Sequence, residues 1–225
     1  KDSAVTNRDP DIQIFSGYNQ LNTMNKLRFK ISENIDVVFA NHFSKLSDVP
    51  RYDRLIQYKS GKLRYGEWYY GPQIWMMNSL QMTIKKGNKL FDEVAVTAAQ
   101  QNYEESRHDR SFGKSSRNEQ FDKVGILSLN LDFDKKLHNT NQLLYYGFEY
   151  VFNDIKSVAQ SLDIQTGNTS PAASRYPDGK NRYNSISGYA GYKNNLSDKL
   201  TLNTGLRYNY VTLNSSIIDN SFYNV

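Results

Sequence analysis

The stretch Val124-Gly125-Ile126-Leu127-Ser128-Leu129-Asn130-Leu131-Asp132-Phe133 places apolar side chains at Leu127, Leu129, Leu131 and Phe133, with polar Ser128, Asn130 and Asp132 between them. Successive side chains of an extended strand point to opposite faces, so this spacing gives one oily face and one wet face. A helix would scatter both sets around its axis.

The same alternation extends in both directions. Leu144, Tyr146, Phe148, Tyr150 and Phe152 alternate with Tyr145, Gly147, Glu149 and Asn153, and Leu200, Leu202, Leu206, Tyr208 and Tyr210 oppose Thr201, Asn203, Arg207 and Asn209. Towards the start, Val94, Val96 and Ala98 share a face, as do Ile74, Met76, Leu80, Met82 and Ile84. Leu27, Phe29 and Ile31 form another set, followed by Ile35, Val37, Phe39 and Phe43; residues 185–193 are weaker, though Tyr189 and Tyr192 keep them strand-like. The pattern predicts about eight strands, with flanking pieces at 11–18 and 215–225.

Tight polar links at 32–34, 85–89, 136–141 and 195–199 recur about every 50 to 60 residues. Between them, polar stretches at 46–71, 107–120 and 159–182 read as long loops. Short turns at one end and long loops at the other describe an all-β, antiparallel transmembrane β-barrel of the bacterial outer membrane, its long loops outside the cell. A soluble antiparallel sandwich also alternates with period 2. Strands of about ten or more residues exceed its usual five or six, however, and its long loops need not share one side.

Mean hydropathy is −0.70, and no stretch approaches the roughly 20 apolar residues of a spanning helix. In a barrel wall, lipid-facing and lumen-facing residues cancel in any average, so low hydropathy is compatible with a membrane. Tyr occurs 17 times and Phe 11 times; Tyr suits both strands and the membrane interface. The absence of Cys excludes a disulfide framework and thiol chemistry. The 28 basic and 23 acidic residues are spread along the chain without the stripe expected of a nucleic-acid binder. The chain opens at Lys1 with neither Met nor signal peptide and stops in a loop-like stretch, so the expectation is one partial barrel domain over 1–225.

Two sections of the first polar stretch, Ser47-Asp48-Val49-Pro50-Arg51-Tyr52-Asp53-Arg54-Leu55 and Gly61-Lys62-Leu63-Arg64-Tyr65-Gly66-Glu67-Trp68-Tyr69-Tyr70-Gly71-Pro72-Gln73, resemble an outer loop of TonB-dependent receptors from Bacteroidetes-type bacteria. So do Glu105-Ser106-Arg107-His108-Asp109-Arg110 with Phe112-Gly113, Ser174-Arg175-Tyr176-Pro177-Asp178-Gly179, and Leu202-Asn203-Thr204-Gly205-Leu206-Arg207-Tyr208. The resemblance implies a barrel of 22 strands around an N-terminal plug, with a segment ahead of the plug engaging the energy-transducing partner TonB. It places this chain, with its 8 to 10 strands, in the middle of the barrel, without plug or TonB-binding segment. The implied function is uptake of a scarce nutrient: a ferric siderophore or related iron chelate first, then haem or cobalamin.

Arg51, Tyr52, Arg54, Tyr65, Trp68, Tyr69 and Tyr70 make an aromatic and basic cluster in the first polar stretch. Aromatic faces with guanidinium groups hold planar anionic chelates by stacking and charge-assisted hydrogen bonds. The competing reading is a loop folded on itself, with Trp68, Tyr69 and Trp75 near the outer aromatic girdle. Arg107, His108 and Arg110 join the ligand-binding candidates, because a haem receptor wants an exposed His and His108 is the one placed for it. His42 and His138 are isolated, near a strand end and in a turn. In Arg107-His108-Asp109-Arg110, neighbours on a strand point to opposite faces, so a charged strand end explains the run better than a base and its orienter. Asn130, Asp132, Glu149, Asn203, Arg207 and Asn209 read as lumen-facing groups that need polar partners.

No nucleophile, paired-carboxylate or metal-ligand constellation emerges, so neither an enzyme nor a resident cofactor is expected. The expected partners are outer-membrane lipid and, as the resemblance implies, TonB through the parent's plug and the chelate. Two other classes remain open. One is a small complete barrel serving as an adhesin or structural protein. The other is a soluble sandwich that binds carbohydrate on Trp68, Tyr69 and Tyr70; it requires Leu129, Phe148 and Leu206 to pack together in a dry centre.

Overall fold

The structure, a computed structural model, describes residues 2–137 and 141–223. In chain order the elements are β1 (Gln20–Ser32), β2 (Ile35–Leu46), β3 (Val49–Pro50), α1 (Tyr52–Leu55), β4 (Tyr58–Lys59), β5 (Lys62–Leu63) and β6 (Tyr65–Ile84). They continue with β7 (Glu93–Ser111), β8 (Ser116–Lys136), β9 (Gln142–Asp163), β10 (Thr169–Pro171), β11 (Asn181–Ser197), β12 (Leu200–Ser215) and a 3-10 turn (Asn220–Phe222).

Eight long strands form one antiparallel meander in the order β1-β2-β6-β7-β8-β9-β11-β12. The short β3 and β10 pair with β6 and β9, and β4-β5 is a separate hairpin. β1 and β12 are the two edges of this open sheet.

Register turns the sequence alternation into continuous apolar rows. One row runs Leu27, Phe39, Leu80, Ala98, Leu129, Tyr150, Ile186, Tyr210 across the sheet. The next runs Phe29, Val37, Met82, Val96, Leu131, Phe148, Gly188, Tyr208, and a third Ile35, Ile84, Val94, Phe133, Tyr146, Ala190, Leu206. Together they make a belt on one face of the sheet, open over its first two rows; against the third lies the segment before β7, with Phe91 5.8 Å from Phe133 and Tyr146 donating to the Leu90 carbonyl at 2.9 Å.

Leu206 is 80% exposed and Tyr208 71%, and among the described residues Val94 is the one apolar side chain that is buried. Accessible surface totals 15384 Å², against about 10,500 Å² for a compact soluble protein of this mass. The sandwich is therefore excluded: Leu129, Phe148 and Leu206 share the outside of a single sheet.

The opposite face carries the polar partners that alternation demands. Glu149 Oε2 accepts from Asn130 at 3.2 Å, while its Oε1 accepts from Arg207 at 2.7 Å and Ser187 at 3.4 Å. Asn209 Oδ1 accepts from Arg207 Nε at 2.9 Å. Two tyrosines lie across glycines of the neighbouring strand. Tyr189 of β11 passes over Gly147 of β9 and donates to Asp132 of β8, and Tyr145 of β9 passes over Gly191 to donate to Asn203 of β12 at 2.8 Å. Any side chain at either glycine would collide with the ring, which is the reason glycine stands there.

The long loops expected at 46–71, 107–120 and 159–182 are corrected by the structure. β6 already includes Trp68 to Tyr70, β7 runs on to Ser111, β8 begins at Ser116, and β9 continues to Asp163. These strands of 19 to 22 residues are about twice what a bilayer crossing needs. Their upper halves carry polar and charged residues on both faces among scattered apolar ones, so the period-2 hydropathy signal fades there, while the backbone ladder continues because each strand still has neighbours to bond. β7 and β8 join through residues 112–115, with Gly113 at φ 75°. The flanking pieces are corrected too: residues 11–18 form no strand, and β12 ends at Ser215. Of the expected links, 136–141 lies partly outside the described residues, as does the chain end at 224–225.

Candidate ligand-binding site

Above the belt, β6 changes phase. Its register against β7 shifts between Gly71 and Ile74, with Pro72 in the interval. Below this bulge the even residues Ile74 to Ile84 lie on the belt face; above it the odd residues do. A bulge re-aims side chains in this way. Trp68 and Tyr70, which simple alternation from Ile74 would turn towards lipid, face the polar side.

On that side Trp68 and Tyr70 meet edge to face at 4.9 Å and 89°. β3 and α1 bring two guanidinium groups over them. Arg51 Cζ lies 5.3 Å from the Trp68 ring and 5.5 Å from Tyr70, and Arg54 Cζ lies 5.5 Å from Trp68. Arg107, register partner of Tyr70, places its own Cζ 5.2 Å from that ring. Arg51 donates to Tyr70 Oη at 3.1 Å and is paired by Asp53 at 2.7 and 2.8 Å. Asp109, opposite Trp68, accepts from Asn118 at 3.2 Å. Arg54 Nε and Arg107 Nε are buried without a hydrogen-bond partner; Asp53 also lies 3.9 Å from Arg54, while Arg107 makes no ion pair among the described residues. The result is an aromatic floor with guanidinium donors, suited to a planar anion.

The ten candidates divide into three groups. Arg51, Arg54, Trp68, Tyr70 and Arg107 form this platform. Tyr69, His108 and Arg110 lie on the belt-side face of the same strands. Tyr52 and Tyr65 line a separate cleft of 480 Å³ between the N-terminal segment and the β4-β5 hairpin. Trp75, expected near an aromatic girdle, is corrected: it lies on the polar face, tilted against His42 at 6.0 Å and donating to Gln101 at 3.1 Å. His138 lies outside the described residues.

His108 is enclosed. Tyr69 stacks on it at 4.5 Å and 7°, Phe121 meets it edge-on at 5.6 Å, and its Nε2 is 3.0 Å from Ser106 Oγ. Its Nδ1 lies 3.5 Å from Glu119 and makes no hydrogen bond. Burial pushes the imidazole below its usual range against the pull of Glu119. Burial works to raise Glu119, yet hydrogen bonds from Gln160 and Arg117 outweigh it and hold the carboxyl below its usual range. Arg110 is clamped by Glu67 at 3.0 Å and by Asp2 at 2.8 and 2.9 Å. This side of the sheet is a structural ion network that ties residue 2 to the tip of the β7-β8 hairpin.

A pH test follows from the enclosed imidazole. Below about 6.5 the unfolded chain takes up a proton that folded His108 refuses, so stability falls as pH drops through that value towards the folded pKa. The urea midpoint at pH 5.5 is expected below that at pH 7.5, and His108→Gln is expected to flatten the difference. An unchanged slope in the variant would place the titrating group elsewhere.

Sequence reading missed a second buried cluster. Arg175, from the connection between β9 and β11, reaches between Glu105 and Asp122, and Ser157 donates to Asp122 at 2.5 Å. Asp122 is 3% and Ser157 1% exposed. The usable signal was alternation itself, since Tyr103, Glu105, Arg107 and Asp109 continue the polar-face parity of β7 past the belt. Among the described residues no group of His, Asp and Glu comes together as a metal site.

The comparisons with known proteins bear on this geometry. A family model described as the outer membrane protein β-barrel family matches residues 81–224. The chain belongs to that family. No curated protein matches it. As an outer membrane β-barrel protein it resides in the bacterial outer membrane, so the open rows of the belt face lipid. The platform and the tight turns at 33–34 and 198–199 lie at opposite ends of the strands.

Proposed function

We propose that this outer membrane β-barrel is part of a TonB-dependent receptor that captures a ferric chelate at the extracellular end of its wall. The observation that carries the reading is the platform: three arginines over a Trp–Tyr pair, with Arg107 making no ion pair among the described residues. The resemblance of residues 47–55 and 61–73 to receptor loops supports it, and it is in these residues that most of the platform lies. In this reading the protein binds and passes its ligand without chemical change. Transport energy comes from TonB through a plug supplied by other parts of the parent protein.

A ferric tricatecholate or tricarboxylate presents flat, anionic faces, which the guanidinium groups bind and the rings stack against. Trp68 fluorescence in the intact protein is expected to quench on titration with ferric chelates. Arg107→Ala and Trp68→Ala are each expected to raise Kd at least about tenfold, the first through loss of a charge-assisted contact and the second through loss of a stacking ring. A deletion strain should fail to grow on the chelate that binds. Unaltered affinity in both variants would remove the platform from the reading; growth on every iron and cobalamin source would remove the transport function.

The eight long strands also suit a small barrel with an adhesive or structural role. That reading requires β1 to pair with β12, whereas here they are opposite edges. A disulfide between Cys substituted at facing positions of these strands would support it.

A further inference from the structure

We infer that the belt-side face, immediately above the apolar rows, binds the phosphorylated headgroup of the outer-leaflet glycolipid through Lys45, Lys123 and Lys156. The inference uses the outer-membrane location and is independent of the transported ligand.

The belt face changes chemistry in steps towards the extracellular end. Next above Phe39 and Leu80 come amides: Asn41 donates to Asn78 at 2.7 Å, and Asn78 to Gln100 at 3.5 Å. Two rows further, one register line contains Lys45, Ile74, Glu104, Lys123 and Lys156, all of the same parity as the belt. The change is graded, since Leu127 and Phe152 still stand in the amide row and Phe43 and Met76 in the row between it and the lysines; ammonium groups come last, in the order in which acyl chains give way to amide-linked sugars and phosphates.

Lys123 and Lys156 are direct cross-strand partners, an arrangement that repels unless an anion lies between them. Glu104 takes part of the load, 3.0 Å from Lys123. Lys156 and Lys45 are exposed and make no ion pair among the described residues. The nearby Arg182 is offset by Asp154 at 3.7 Å. Lys45 stands three strand spacings from Lys123, about 14 Å, so the cations reach two separated phosphates of one disaccharide headgroup.

The periplasmic rim shows the contrast. There the belt-face Lys135 is held by Asp92 at 3.0 Å, and Lys85 lies 3.8 Å from Glu93. On the belt face, then, Lys135 is held by a carboxylate at this rim, whereas Lys45 and Lys156 at the other rim make no ion pair among the described residues.

The test uses the intact protein purified from outer membranes in mild detergent, stripped of lipid and then offered lipopolysaccharide, with retained glycolipid phosphate read per protein. Lys45→Gln, Lys123→Gln and Lys156→Gln combined are expected to retain at least fivefold less than wild type. Lys135→Gln should retain as much as wild type, and Glu104→Gln, which removes the competing carboxylate, should retain more. Inorganic phosphate should fail to displace the lipid, whereas displacement at low concentration would make the row a free-phosphate site and overturn the assignment. Equal retention by the triple variant, equal loss in Lys135→Gln, or reduced retention in Glu104→Gln would also overturn it. Heat-modifiable gel mobility checks that each variant is folded, and Glu104→Gln keeps the proposal open to failure if the triple variant does not fold.

Discussion

Arginine in place of Leu131 is expected to lower the stability of the membrane-inserted protein by about 2–4 kcal/mol. Leu131 sits in the middle of three apolar rows, between Val96 of β7 and Phe148 of β9. A guanidinium there meets hydrocarbon with no partner, and its stem has a full row to cross before reaching water. Ser128, three positions away on the same strand, faces the other side between Ala99 and Val151. Ser128→Arg is expected to cost less than about 1 kcal/mol, since that face tolerates polar groups. Urea titration of both variants refolded into lipid vesicles measures the pair. Equal costs would mean that the belt does not face lipid.

Valine at Gly147 is the second large effect, expected at about 3 kcal/mol or more, at the upper end for overpacking. The new methyls would occupy the space of the Tyr189 ring and press on the carbonyl of Leu131. Tyr189 could not then reach Asp132, leaving a carboxylate without its donor. The cost of Gly147→Val should shrink in a Tyr189→Ala background, because the ring is no longer there to be displaced. A cost that stays the same in both backgrounds would trace the effect to backbone crowding alone.

Most of the wall is legible in the order of its amino acids. Residues 124–133 alternate strictly because one face meets oil, and the same pressure marks Leu144 to Phe152 and Leu200 to Tyr210; their registers then align into rows as alternation requires. Legibility fails where that pressure ends. Above the belt Glu105, Arg107 and Asp109 on one face and Ser106, His108 and Arg110 on the other are all polar, so a strand resembles a loop. His108 illustrates the same limit: its composition suggests an exposed ligand, but Tyr69 and Phe121 enclose it through contacts between strands that no single segment encodes. Composition marks Arg51, Arg54, Trp68, Tyr70 and Arg107 as candidates, and the structure brings these five together. Their convergence depends on a phase change at Gly71 to Gln73, which spacing cannot reveal, because Pro72 only says that the ladder is interrupted there.

That interruption separates two selective regimes within one continuous strand. Residues 74–84 answer to the bilayer and residues 65–70 to the extracellular medium, and one extra residue between them decouples the two codes. Removing a residue from the interval would exchange the surfaces, sending Trp68 and Tyr70 outwards and Tyr69 inwards, with no substitution in either half. A wall built this way can acquire a new recognition surface by moving a frame of one residue while its anchoring in oil remains untouched.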